Sequence, residues 1–200
     1  MITNANYWDE FRNLPAKNYT CGHPSCGKDV GADKGWIHRK HTSSNLVQPD
    51  GYIYLCPLCK NPTFFDISSG LQLPGVSLGS EVQHLPSEVE PIWSEIRTCT
   101  SHGAFTSAVL SGRKLLMHIA VEQGAKPGLN FVHYVDYLID NHYAPPNSRS
   151  WVDKIRTYGN EATHEIVLKT KDEADDILTF LEMLLKFIYE FPGRVLPPPP

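Results

Sequence analysis

The sequence predicts a mainly α-helical protein, an antiparallel helical bundle preceded by a small β zinc ribbon. Three observations lead to this prediction. From about residue 86 onward, apolar residues recur at the three- and four-residue spacing of helices that bury one face. Four of the five cysteines form two close pairs before residue 60. Between these regions, residues 67–85 are rich in Gly, Ser and Pro and show no hydrophobic period, which is typical of a linker.

The predicted domain boundaries follow from the same observations. Residues 1–66 contain a helical lead-in and the cysteine module, residues 86–195 form the bundle, and residues 196–200 are a polyproline tail. The lead-in is predicted as a helix because Tyr7, Trp8 and Phe11 are spaced to share one helical face.

The two cysteine pairs are Cys21 with Cys26 and Cys56 with Cys59. Zinc in structural sites takes four thiolate or imidazole ligands in a tetrahedron, and cysteine pairs on tight turns supply such ligands. A module this small buries little core, so metal binding would contribute its folding energy. The pattern therefore predicts one structural Zn²⁺ held by these four thiolates. The alternative is that the four thiols are buried and unrelated.

The segment between the pairs has the residue types of short strands. Trp36–His38 and Tyr52–Leu55 are predicted strands, and Pro49-Asp50-Gly51 is a predicted turn. Three histidines are candidate substitutes for a cysteine ligand, although each alone is typical of a surface histidine: His23, His38 and His41.

Composition and charge narrow the functional classes. The net charge of −4, with scattered Lys and Arg, gives no basic footprint for tight, sequence-independent DNA binding. No apolar run is long enough for a transmembrane helix. The N-terminal residues lack the charged start and apolar core of a signal peptide, so we expect a cytoplasmic protein.

Five helices are predicted in the second half of the chain. The last has a recognisable start, because Thr170 followed by Glu173 forms a capping box, and Pro192-Gly193 is expected to end it. The apolar positions that define the helices lie around Val89–Ile96, Phe105–Ala120, Phe131–Ile139, Trp151–Ile155 and Ile177–Ile188.

The fourth helix carries a polar stripe of Arg156, Asn160 and His164. Residues four apart on an α-helix lie one turn apart on the same face, so these three side chains are expected to form a ladder. Such a stripe is either a solvated face or a functional site. Without a function, Arg156 would pair with Asp153 or Glu161 on the surface, and Asn160 and His164 would satisfy each other and a backbone carbonyl inside the bundle.

Several motifs of the second half now coincide in order and spacing. They are Leu85-Pro86, Ser101–Ala104, Leu110–Leu116, Trp151–Arg156 with Asn160 and His164, Thr170–Ala174 and Tyr189–Pro192. Together, over about residues 83–195, they resemble a HEPN-like bacterial domain of unknown function. Domains of that type occur alone, behind a zinc ribbon, or attached to restriction-endonuclease subunits.

The resemblance implies an antiparallel helical bundle that often forms a homodimer. It also implies a site, because catalytic branches of the superfamily cut RNA without a metal. Their signature is an arginine, commonly followed by a polar residue, with a histidine four to six residues after the arginine. Asn160 and His164 match the amide and the histidine of that signature. Seven residues separate Arg156 from His164, which is outside this window, so a bend at Gly159 or an arginine of a second subunit would be required. Arg113 is the candidate for the second cation.

Two functions from different classes are therefore predicted. The favoured one is a dimerisation, partner-binding or nucleic-acid-binding module, acting in phage defence or restriction, with an RNA or a protein as its partner. The alternative is a metal-independent endoribonuclease in which His164 moves protons and Arg156 stabilises the phosphorane charge, with Asn160 beside them. No small-molecule cofactor and no membrane contact is predicted.

Overall fold

A computed structural model gives the architecture of the chain. It divides into two compact units, Met1–Ser77 and Leu78–Pro200. The residues that the structure describes are 7–24, 26–41, 46–144, 149–157 and 167–195.

The N-terminal unit contains a six-stranded antiparallel sheet. The long strand β3 has β4 on one side, β1 and β2 both pair with it, and β5 and β6 continue the sheet beyond β4. The strands are β1 Tyr7–Trp8, β2 Arg12–Thr20, β3 Asp29–His41, β4 Val47–Leu55, β5 Pro62–Asp66 and β6 Gln72–Leu73.

This sheet shows that the prediction of a mainly α-helical protein is wrong. The chain combines a substantial antiparallel sheet with a separate helical unit, and the sheet extends well beyond the small ribbon that the cysteine pairs predicted. The predicted helical lead-in is also wrong where the structure describes it, because Tyr7–Trp8 and Arg12–Thr20 are strands. The aromatic spacing was ambiguous, and pairing with β3 decided the conformation, since strand formation depends on cross-strand partners more than on local sequence.

Two further differences concern connections. The predicted turn at Pro49-Asp50-Gly51 lies inside β4, where the pairing with β3 shifts register between His38 and Arg39. The predicted linker contains β6, whose residues Gln72 and Leu73 pair with β5. Cross-strand hydrogen bonding therefore extends the sheet through segments whose Pro, Gly and Ser content alone indicates loops.

One face of the sheet carries the apolar core of this unit. Paired residues on neighbouring antiparallel strands point to the same face. Five buried side chains from four strands thereby converge, with Tyr19 and Tyr52 packed against them: Leu14, Ala32, Ile37, Tyr54 and Phe65.

The second unit contains six α-helices among its described residues, with one π-helical turn before the last. The bounds are α1 Val89–Ser101, α2 Phe105–Glu122, α3 Phe131–Asp140, α4 Arg149–Thr157, α5 Lys171–Leu185, the π turn Lys186–Glu190 and α6 Phe191–Val195. None of the helices in the described part of the chain combines the length and apolar character that a membrane-spanning segment needs.

Local sequence determines the start of α5 and one close contact between α2 and α5. Thr170 and Glu173 form the predicted capping box at the start of α5, with the Thr170 backbone N–H donating to the Glu173 carboxylate at 2.7 Å. Gly112 lies in the middle of α2, and a Cβ there would lie 3.2 Å from a methyl carbon of Leu181. The absence of a side chain thus lets α2 and α5 pack closely.

The end of the last helix differs from the prediction. The chain does not stop being helical at Pro192, because a π turn from Lys186 to Glu190 leads into α6. A proline is tolerated in the first turn of a helix, where its missing N–H is not needed. Pro192 is the second residue of α6, so the π turn gives it such a position.

The Glu182 carboxylate makes the stability of the helical unit depend on pH. Burial acts to raise the pKa of Glu182, but ionic contact with Lys186 and hydrogen bonds from Ser80 outweigh burial and lower the pKa below its ordinary value of 4.5. A carboxyl group with a lowered pKa in the folded state stabilises the protein above its unfolded-state pKa. That stabilisation is lost as the pH falls through the folded-state pKa.

We therefore expect the melting temperature of the helical signal in circular dichroism to fall as the pH drops through about 4.5 and below. In Glu182→Gln, the melting temperature at neutral pH should be lower and this part of the acid dependence should be reduced. An unchanged acid dependence in Glu182→Gln would show that other carboxylates dominate.

Candidate metal centre

Two turns of the N-terminal unit carry the four paired cysteines, and the sheet topology brings the turns together. The first turn joins β2 to β3 and the second joins β4 to β5. Because β3 and β4 are antiparallel and Gly35 pairs with Tyr54, the start of β3 lies beside the end of β4. Both turns therefore lie at the same end of the sheet.

The backbone closes both turns in a similar way. The N–H of Cys21 donates to the carbonyl of Lys28 at 2.9 Å, and the N–H of Cys56 donates to the carbonyl of Asn61 at 3.0 Å. After the second cysteine of each pair, one residue adopts a positive φ, 58° at Gly27 and 63° at Lys60. Glycine suits this conformation, whereas Lys60 requires the turn to compensate the strain.

The turns place four sulfur atoms in one cluster. The Sγ atoms of Cys21, Cys26, Cys56 and Cys59 all lie within 4.8 Å of one another. The Sγ atoms of Cys21 and Cys59 are 3.7 Å apart, and those of Cys26 and Cys56 are 3.8 Å apart. Each of these two contacts joins one turn to the other, so the cluster ties the two turns together.

The cluster has the dimensions of a tetrahedral metal site. Four sulfurs bound to zinc at about 2.3 Å would be about 3.8 Å from one another. The two cross-turn distances agree with this value, and they are far longer than the roughly 2 Å of a disulfide. Four sulfur ligands with this spacing fit a closed structural site with no position for a substrate.

The thiols of the cluster differ in acidity. Burial raises the pKa of Cys21 to about 12. At Cys56, burial also acts to raise the pKa, but the backbone N–H groups of Cys59 and Leu58 point at its sulfur and lower the pKa to about 7. A backbone that donates hydrogen bonds to sulfur favours the thiolate, which is the form that binds a metal.

The surroundings of the cluster are closely packed. Cys21 and Cys56 are fully buried, with Val30 beside them and Tyr19 packed against the same group. Gly22 leaves no room for a side chain, because a Cβ there would lie 2.2 Å from the carbonyl oxygen of Pro74.

The three histidines that the sequence offers as substitutes for a cysteine ligand do not belong to the cluster. His23 donates from Nε2 to the carbonyl of Pro62 at 2.8 Å, and Nδ1 of His38 lies 3.6 Å from a carboxylate oxygen of Asp50. His41 lies at the opposite end of β3 from the cysteine turns. Among the described residues, the four cysteines are the group that could hold a metal.

The polar stripe of the second unit is described only in part. Arg156 lies on α4, where its Nε donates to Asp136 at 2.8 Å and its Nη1 donates to Asp153. Burial acts to lower the pKa of Arg156, but the two carboxylates outweigh burial and raise it. Asn160 and His164 lie outside the described residues. The ladder of Arg156, Asn160 and His164 therefore stays a prediction.

Asp136 was missed by the sequence analysis. It lies on α3, 20 positions before Arg156, and local spacing gives no sign of a contact at that separation. Arg113, the weaker candidate, lies on α2 with its guanidinium carbon 4.7 Å from the centre of the Phe131 ring. This geometry is a cation–π contact with α3.

Comparison with known proteins gives one match. The family model described as a domain of unknown function, DUF4145, matches residues 94–196, which is 103 of the 200 residues. The chain belongs to the DUF4145 family. No curated protein and no solved structure matches it.

The position of the match separates the two parts of the chain. The DUF4145 match begins inside α1 and covers α2 to α6. The cysteine cluster and the whole sheet precede it. The expectation of a family of unknown function in the second half is thereby confirmed, and the cysteine cluster of this DUF4145 protein is a feature that the family match does not cover.

Proposed function

We propose that this DUF4145 protein is a non-catalytic binding protein whose N-terminal sheet is stabilised by a structural zinc ion. The observation that carries the proposal is the cluster of four Sγ atoms within 4.8 Å of one another. Zinc is the metal that best fits four thiolates in a tetrahedron, because it accepts soft ligands and imposes no other geometry. Its role would be structural, since four protein ligands leave no open position.

The geometry of the sheet explains what such a metal would stabilise. The apolar core of the N-terminal unit is small, with five buried side chains in its main cluster. Units of this size commonly depend on a metal or on disulfides for stability. Here the metal would connect the β2–β3 turn to the β4–β5 turn and so hold the central strands in register.

The contacts of Arg156 favour a binding role over RNA cleavage. An arginine that stabilises a phosphorane must direct its positive charge at the substrate. The Arg156 guanidinium contacts two carboxylates, Asp136 and Asp153, which offset its charge. We also propose that the helical unit is related to HEPN-like domains. This relationship implies that the protein forms a homodimer and acts in restriction or phage defence.

The proposal predicts the absence of ribonuclease activity. Purified protein incubated with single-stranded RNA and a chelator should produce no cleavage above a buffer control. Arg156→Ala should lower the free energy of unfolding by only about 1 kcal/mol or less, because ion pairs this exposed contribute little.

RNA cleavage that depends on His164 would contradict the proposal. If wild-type protein cleaves RNA in chelator to products ending in a cyclic phosphate, and His164→Ala abolishes the cleavage without lowering the melting temperature, the protein is an enzyme and the proposal is wrong. For the Arg156→Ala variant, the matched control is Lys126→Ala, which removes a positive charge on the loop between α2 and α3.

A further inference from the structure

The face of the sheet opposite the apolar core carries a strip of aromatic rings. Register places Trp8 beside His38, and Trp36 lies two residues earlier on the same face of β3. The ring centroids of Trp8 and His38 are 5.0 Å apart, and those of Phe11 and Trp36 are also 5.0 Å apart. The aromatic strip consists of Trp8, Phe11, Trp36, His38 and Phe64.

Phe64 joins the strip from two strands away. Its ring lies across Gly51 of β4, where a Cβ would come within 2.7 Å of the ring, and its centroid is 6.1 Å from that of Trp8. The missing side chain at Gly51 thus allows rings from β1, β3 and β5 to form one surface. An apolar side chain on a solvated sheet face is ordinary, but five adjoining rings are not explained by packing alone.

Two of the five rings of the strip are well exposed, and the rings of Trp36, His38 and Phe64 are half-buried. Trp8 is 44% exposed and Phe11 is 50% exposed, whereas Trp93 in the helical unit is 3% exposed. The indole N–H groups of Trp8 and Trp36 donate to no residue that the structure describes. Each is thus a free donor beside an apolar surface, which is the arrangement that orients a carbonyl-rich ligand.

The charges around the strip favour an uncharged ligand over a polyanion. Asp9 accepts from Arg39 at 2.9 Å and from Arg12 at 3.2 Å, and Asp50 pairs with Lys40. A nucleic acid would have to compete with these carboxylates for the cations, whereas tight phosphate binding requires cations that are available. An uncharged extended peptide meets no such competition.

A proline-rich segment has the complementary chemistry. Proline has no N–H, its carbonyls accept hydrogen bonds, and a proline run forms a polyproline II helix before binding. Aromatic surfaces with indole donors recognise such helices through their rings and carbonyls.

The sequence of this chain contains such a segment, Leu196-Pro197-Pro198-Pro199-Pro200. We propose that the aromatic strip of one molecule binds the proline segment of a second copy of the chain. The inference rests on the proposed function, because it names the partner of the zinc-stabilised sheet. Contacts of this kind are head-to-tail, so they link molecules without requiring a twofold axis.

The test uses the full-length protein and a fluorescein-labelled synthetic peptide of residues 196–200. We expect saturable binding by fluorescence anisotropy. Binding should weaken about tenfold or more when the four prolines of the peptide are replaced by alanine, and likewise in Phe11→Ala and Trp36→Ala protein. Phe187→Ala removes a ring that is 54% exposed in the helical unit and should leave the affinity unchanged.

Measurement of self-association tests whether the proline segment that binds the strip belongs to a second copy of the chain. In sedimentation velocity, the wild-type protein should associate further as its concentration rises, and replacement of Pro197–Pro200 by alanine should remove this association. Zinc content and circular dichroism are measured for each variant. Loss of the metal or of the fold, which would concern the proposed function, is thereby distinguished from loss of the binding surface.

Three results would overturn the inference. One is no peptide binding by metal-loaded, folded protein, and another is peptide binding that Phe11→Ala and Trp36→Ala both leave intact. The third is self-association that is independent of the prolines, which would exclude a second copy as the occupant. Salt-sensitive binding of an oligouridine that depends on Trp36, without peptide binding, would assign the strip to single-stranded nucleic acid instead.

Discussion

Cys56→Ser is expected to release the metal and to unfold the N-terminal sheet while the helical unit stays folded. Cys56 is fully buried and its sulfur contacts a cysteine of the other turn, so its loss opens the connection between the two hairpins. Binding of structural zinc contributes on the order of 10–16 kcal/mol in small metal-dependent folds. A unit with so few buried apolar side chains has little other free energy to replace it.

Limited proteolysis with metal analysis measures this effect. Cleavage sites should appear within residues 7–77 of Cys56→Ser, and the zinc content should fall from one per chain to none. Cys99→Ser is the matched control, because Cys99 lies on α1 and outside the cluster. A folded, protease-resistant sheet in zinc-free Cys56→Ser would show that the metal has no structural role.

Phe180→Ala is expected to be the most destabilising change in the helical unit, lowering the free energy of unfolding by about 3–5 kcal/mol. Phe180 is completely buried on α5, and its ring contacts that of Trp151 on α4 edge to face, with centroids 5.2 Å apart. The substitution removes this contact and leaves a cavity where α5 meets α4.

Urea denaturation followed by helical circular dichroism checks the result. Leu110→Ala is the control, since Leu110 is 55% exposed on α2 and its loss should change the free energy by about 0.5 kcal/mol or less. Equal effects of the two substitutions would mean that α4 does not pack on α5 as described.

The elements that the sequence predicted well are those with a strong local signal. The capping box at Thr170 and Glu173 appears as expected, because both partners lie within one helical turn. The cysteine pairs also come together, because each pair lies on one tight turn and its spacing is visible along the chain. The apolar periodicity around Val89–Ile96 and Phe131–Ile139 likewise matches α1 and α3.

The failures share a different cause, which is dependence on distant partners. Tyr7, Trp8 and Phe11 fit a helix by spacing, yet Trp8 pairs with His38, 30 positions later, and this pairing decides the strand. The extent of the sheet, the strand at Gln72–Leu73 and the contact of Arg156 with Asp136 are non-local in the same way. Nothing in the local composition of these segments reveals the partner.

The aromatic strip illustrates the same limit. Its rings come from residues 8 to 64, and they are adjacent only because the strand order β1-β3-β4-β5 brings them to one face. The sequence placed Trp8 and Phe11 on a helix and Trp36 and His38 on a strand, and it made no prediction for Phe64. The surface they form together depends on register and on the space left at Gly51.

X-ray absorption at the zinc edge of the purified full-length protein tests the central claim most directly. A structural zinc site made by Cys21, Cys26, Cys56 and Cys59 predicts one zinc per chain, surrounded by four sulfur atoms at about 2.3 Å and no lighter ligand. Protein that purifies without zinc and does not take it up, or a zinc ion with nitrogen or oxygen ligands in its first shell, would contradict the account.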